Sequence, residues 1–187
     1  MVPRCVRAHS GRARRAWPRA VDGRVGRKGA AGARLPGTAV ARLVTVRVYI
    51  SGALLNSGDL ASARELYEAF AAASREAGCE PYLPHQHADP VRDAGLSNLD
   101  VARRDLREID RADCLVAYVG EPSLGVGAEV AIALAAGKRV FALAPSDRRV
   151  SRFMLGMLEL HPALASVCRY ADRDEALGWI RESLAQP

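Results

Sequence analysis

The stretch Asp113–Ala133, DCLVAYVGEPSLGVGAEVAIA, constrains this chain more than any other. Cys114–Val119 is an unbroken apolar run without period-two alternation, which is the pattern of a central parallel strand covered on both faces. Pro122, Gly125 and Gly127 interrupt it as a glycine turn spanning 121–127, and the small and apolar residues of Val126–Ala136 predict a helix. A strand, a glycine turn and a helix N-terminus together build an anion site at the carboxyl end of a sheet. Glu129 is expected in or near the first helical turn, facing the positive end of the helix dipole, and so ionised. An ionised carboxylate beside a ligand-sized loop is a candidate nucleophile.

The rest of the chain alternates in the same way. Strands are expected at Thr45–Ile50, Glu80–Leu83, Arg139–Ala144 and Ser166–Tyr170, in addition to Cys114–Val119. Helices are expected at 61–77, 98–112, 126–136, 151–160 and 174–185; Leu66, Phe70, Ala73 and Ala77 recur at helical steps in the first, and Asp59 stands near its start. Pro84–Ser97 reads as a polar loop with two histidines. Five such alternations define a single doubly wound α/β domain with a five-stranded parallel sheet in flavodoxin-like order 2-1-3-4-5. In that order the loops after Ile50 and Val119 border one crevice, which gathers Tyr49, Gly52, Ser123, Gly125, Gly127 and Glu129. Asp105 lies at the margin of the stripe Leu99, Ala102, Leu106, Ile109, Ala112. The pattern leaves open whether it is a solvated surface acid, like the Arg104–Glu108 pair, or a partly buried one with a raised pKa, equipped as a general acid.

Charge and cysteine content narrow the function classes. Of 27 Lys and Arg, eleven fall in residues 1–43, which hold a single acid, Asp22. From residue 44 on, sixteen basic residues face twenty acidic ones, so the formal +6 divides into +10 and −4, and a nucleic-acid partner would rest on the tail alone. Residues 1–43 lack apolar periodicity and are expected to be a disordered basic tail ahead of a domain at 44–187, translated from a start codon upstream of a natural start near Val44 or Val46. No window is apolar enough to span a membrane. Cys5, Cys79, Cys114 and Cys168 are scattered, as in a reduced cytoplasmic protein, and His85, His87 and Asp89 lack a third strong ligand at metal-binding spacing. Neither a metal nor a cofactor is expected.

YISG at 49–52, DLREIDRAD at 105–113, VAYVGEPSLGVGAE at 116–129 and Ser151 ahead of FMLG resemble the nucleoside 2-deoxyribosyltransferase superfamily, within it the 2'-deoxynucleoside 5'-phosphate N-hydrolase branch. The resemblance covers about Val46–Leu184. It implies cleavage of an N-glycosidic bond in two steps, with Glu129 attacking C1' to form a glycosyl-enzyme and Asp105 protonating the leaving base and then activating water. That is a retaining two-carboxylate scheme, with the acids roughly 5 Å apart. It further implies that Tyr49 orients Glu129, that Gly52 borders the substrate, and that His87 lies near the sugar or base. Ser123, Gly125 and Gly127 would receive the 5'-phosphate together with a Ser151 supplied by the partner in a homodimer.

Two departures concern the substrate. The branch follows its first-strand glycine with a serine and, two residues later, a phosphate-binding arginine, where this chain has Ala53 and Leu55. Arg148, Arg149 or Arg152 is available as a replacement cation across a dimer interface. A base-exchanging transferase uses the same two acids, and a nucleotide-binding sensor would need neither; these are the alternatives to a hydrolase.

Overall fold

The computed structural model describes residues 45–54, 59–89 and 91–186. The expected basic tail and Leu55 lie outside the described residues.

Five strands, β1 (Arg47–Ser51), β2 (Glu80–Tyr82), β3 (Cys114–Tyr118), β4 (Arg139–Pro145) and β5 (Ala165–Tyr170), form one parallel sheet in the order β2-β1-β3-β4-β5. Helices α1 (Leu60–Glu76), α2 (Asn98–Arg111), α3 (Leu124–Ala135), α4 (Arg152–Glu159) and α5 (Arg173–Leu184) provide the crossovers. The fold class and strand order are those the alternating pattern dictates. Local chemistry sets the helix starts. Asp59, Ser97, Ser123, Ser151 and Asp172 each accept a backbone N–H of the following turn, satisfying donors that the helix cannot pair itself. Gly78 and Gly137, at φ of 81° and 74°, close α1 and α3 in a conformation that a side chain would strain.

The core divides across the sheet. On one side Val48, Ile50, Val116 and Leu143 pack with Tyr67 and Phe70 of α1 and Ile180 of α5. On the other, Tyr49, Leu115, Ala117 and Ala142 pack with Ile109 of α2, Val126 and Val130 of α3, and Leu158 of α4. Strand alternation therefore sends Tyr49 and Ser51 toward α2 and α3 while Val48 and Ile50 face α1. Cys114 and Cys168 are buried core residues, as expected.

The polar loop at 84–97 is observed as a loop, while two local expectations on α2 differ. Among its described residues the loop at 84–97 contains a 3-10 turn, Pro84–Gln86, and it is tied down by Asp89, which is 1% exposed. Asp89 accepts from the Val91 and Arg92 amides and from Arg64 Nε at 2.8–2.9 Å. The α2 stripe is not the buried face: Leu99 and Leu106 are exposed, Ala102 with them, and of that stripe only Ile109 and Ala112 are covered. Arg104 donates to the His87 carbonyl, and Glu108 pairs with Arg111 and Arg47, so the expected Arg104–Glu108 pair is absent.

Candidate active site

Helix α3 begins at Leu124, two residues earlier than the glycine pattern suggests, because the Ser123 hydroxyl caps it by accepting from Val126 N–H at 3.3 Å. Gly125 and Gly127 thus lie in the first helical turn and not in a loop, and Gly127 N–H already bonds the Ser123 carbonyl at 3.1 Å. Glu129 consequently sits in the second turn. Helical side chains lean toward the N-terminus, which aims Glu129 back at the end of β1. There Tyr49 Oη donates to Oε1 at 2.8 Å and Ser51 Oγ donates to Oε2 at 2.5 Å.

Those two donors oppose a larger effect. Burial pushes the Glu129 carboxyl up to about 6; the Ser51 and Tyr49 hydrogen bonds pull it down, and the nearby Asp105 charge adds to the rise. Desolvation therefore outweighs the helix dipole invoked from sequence, and Glu129 is mostly ionised only above pH 6. Burial, then the charges of Glu129 and Asp105, keep the Tyr49 phenol far above its ordinary range, so it stays a donor.

Asp105 occupies the inward side of α2. It is half-buried, its Oδ1 is enclosed without a partner, and burial raises its pKa against the pull of Arg104. The partly buried reading of Asp105 is the one the packing produces. Helix α2 packs against β1 and α3 through a cluster that includes Ile109, Tyr49, Val126 and Val130, and the Asp105 charge acts on both Glu129 and Tyr49.

The other expected residues fall around this centre. Gly52 follows β1, where a Cβ would come within 2.2 Å of Tyr67 Cζ; close packing against α1 demands glycine there whether or not a ligand binds. Ala53 is buried and its carbonyl accepts from Tyr67 Oη at 2.8 Å. A Cβ on Gly127 would meet open space. Ser123 and Ser151 of the same chain line one cavity of about 250 Å³ together with Glu121, Val126, Arg149 and Met154. Arg148 is engaged by Glu121 at 3.1 Å, whereas Arg149 is exposed. His85 turns away, buried against Glu68 at 3.1 Å. His87 stacks on Tyr82 at 4.9 Å, and Tyr82 in turn stacks on Tyr49 at 5.7 Å. A larger groove of about 980 Å³ along α4 and β5 contains neither acid.

Sequence reasoning missed Ser51 and Tyr82. The signal for Ser51 was its i+2 relation to Tyr49, which puts both on one sheet face. Tyr82 had no comparable signal, since only the β1–β2 register sets it opposite Tyr49.

A parallel sheet with two acids and a tyrosine at its switch point defines an α/β enzyme-like fold whose site is suited to acid–base and nucleophilic chemistry. Residues 48–185 match the family described as nucleoside 2-deoxyribosyltransferase, and the chain belongs to that family. A relative from Thermofilum pendens, named as a 2'-deoxynucleoside 5'-phosphate N-hydrolase, is 43% identical over 94 residues, covering 48% of this chain and 64% of its own length. The chain thus spans just under two thirds of that relative. Among solved structures, Clostridium botulinum CMP N-glycosidase superposes with a TM-score of 0.57 at 19% identity, covering 73% of this chain and 98% of that one. A 2-deoxyribosyltransferase from Bacillus psychrosaccharolyticus superposes with a TM-score of 0.54 at 18% identity, covering 74% and 96%. At such identities the structural likeness is one of fold.

Proposed function

We propose that this protein hydrolyses the N-glycosidic bond of a nucleoside 5'-monophosphate, releasing the free base and ribose or deoxyribose 5-phosphate. The observation that carries this reading is the Glu129 carboxylate, gripped by two hydroxyl donors beside a second half-buried acid. A binding module would have no use for a desolvated carboxylate next to Asp105, because burying like charges together costs stability.

In the first step a Glu129 oxygen forms a bond to C1' while the C1'–N bond breaks. The bonding pair goes to the base, which takes the proton of Asp105. In the second, Asp105 removes a proton from water, the water oxygen bonds to C1', and Glu129 leaves as a carboxylate. Tyr49 and Ser51 orient Glu129 throughout. The names of the Thermofilum and Clostridium relatives favour a phosphorylated substrate. Ser123 and Ser151 line the cavity that would take the phosphate, with Arg149 as the cation in place of the arginine absent at Leu55. The apolar side chains of Leu99, Leu106, Leu124 and Ile132, exposed on α2 and α3, support a homodimer.

The test is free-base release from a panel of nucleosides and their monophosphates, with and without an added second base. Free sugar phosphate from the parent protein and none from Glu129→Ala is expected. Preferential formation of a new nucleotide with the added base would make the protein a transferase.

A further inference from the structure

Tyr82 closes β2 directly opposite Tyr49 in the parallel register, so both side chains project from the same face of the sheet. Its ring stacks on Tyr49 with planes 25° apart and on His87 with planes 9° apart. Two stacking partners fix where the phenol oxygen lies. That oxygen is buried without a hydrogen-bond partner among the described residues, and so is Oδ1 of Asp105. Tyr82 packs against the cluster that holds Ile109, one turn along α2 from Asp105, and Arg104 of the same helix donates to the carbonyl of His87, the residue stacked on Tyr82, so α2 brings Asp105 to the side of the sheet on which the Tyr82 phenol lies. Buried polar atoms are nearly always paired, because an unpaired one forfeits its hydration with nothing in return. Here one atom is a donor and the other an acceptor.

We propose that Tyr82 is a positioning residue for Asp105: in the substrate complex its phenol donates a hydrogen bond to Oδ1 and so directs Oδ2, carrying the acid proton, toward the leaving base. This rests on the acid role assigned to Asp105 above. With Oδ1 occupied as an acceptor, the transferable proton resides on Oδ2. As the C1'–N bond breaks, its pair moves onto the base nitrogen, that nitrogen takes the Oδ2 proton, and Asp105 becomes a carboxylate. The Tyr82 hydrogen bond then ends on an anion. Such a bond is shorter and stronger than one to a neutral acid, so it contributes more in the transition state than in the ground state. The same ring buttresses Tyr49, so one side chain adjoins both halves of the catalytic pair.

Tyr82→Phe keeps the ring and its stacking while removing the hydroxyl. Two substrates separate the roles: a deoxynucleoside 5'-monophosphate, whose base needs a proton to leave, and a 4-nitrophenyl 2-deoxyriboside 5-phosphate, whose leaving group does not. On the nucleotide, kcat is expected to fall about tenfold or more with KM little changed. On the nitrophenyl substrate, kcat should stay within about twofold of the parent. The descending limb of the nucleotide pH profile should also move to higher pH, because the Asp105 carboxylate loses a donor. Equal losses on both substrates, or no loss on either, would overturn the proposal while leaving the glycosidase reading intact. Failure of the parent protein to cleave either substrate would overturn both.

Discussion

Replacing Ser51 by alanine tests the electrostatic balance at Glu129. The Ser51 hydroxyl is one of two donors that hold down a carboxyl already lifted by burial to about 6. A hydrogen bond to an ionised acceptor is worth about 1.5–3 kcal/mol, and one pKa unit corresponds to about 1.4 kcal/mol. Halving that strength for the partial openness of the site leaves a rise of about one unit, to about 7. The nucleophile works as a carboxylate, so kcat/KM rises with pH through the Glu129 pKa, before loss of the Asp105 proton brings the profile down again. In Ser51→Ala the ascending limb should therefore move from near pH 6 to near pH 7. At pH 6 the ionised fraction drops from about one half to about one tenth, a loss of about fivefold, while at pH 8.5 parent and variant should converge. The assay is base release at low substrate concentration from pH 5 to 9. A limb that stays in place, or a loss uniform across pH, would refute the account of Glu129 as a buried carboxylate held down by Ser51.

Gly52→Ala should lower stability by about 2 kcal/mol, read as a lower melting temperature, because its Cβ would collide with the Tyr67 ring. Although burial alone would raise it, Asp89 is held at about 2 by the Arg92 and Val91 amides and by Arg64. Its folded pKa lies below the ordinary value of 3.8, so its contribution is complete above that pH and fades as pH falls toward 2. Urea titrations from pH 5 to 2 should show Asp89→Asn with a flatter acid dependence than the parent. Arg149→Ala should raise KM for nucleoside monophosphates about tenfold and leave unphosphorylated nucleosides unaffected. An equal effect on both would remove Arg149 from phosphate recognition.

Much of the fold was legible because its signals are local. Unbroken apolar runs marked β3 and β4, helical steps and Gly78 bounded α1, and strict alternation of strand and helix left one economical sheet order. Glu129 and Tyr49 were legible in part from residue spacing and in part from the family resemblance. Helix α2 was misread at its surface. Its leucines suggested an inward stripe, but the turn that meets β1 and α3 carries Asp105 and Ile109, and Leu99 and Leu106 face outward. A hydrophobic stripe states which side of a helix is apolar and is silent about what covers it.

The sequence by itself determined the element order, the parallel sheet and the placing of one acid, Glu129, at its switch point. Those follow from propensity, periodicity and chain connectivity, which act over a few residues. Only the tertiary structure decided that desolvation of Glu129 overrides the helix dipole, and that Ser51 shares its carboxylate with Tyr49. It likewise decided that Tyr82 stands between Tyr49 and His87. Burial and partner choice depend on residues thirty to eighty positions apart meeting across the sheet, and no local pattern encodes that meeting.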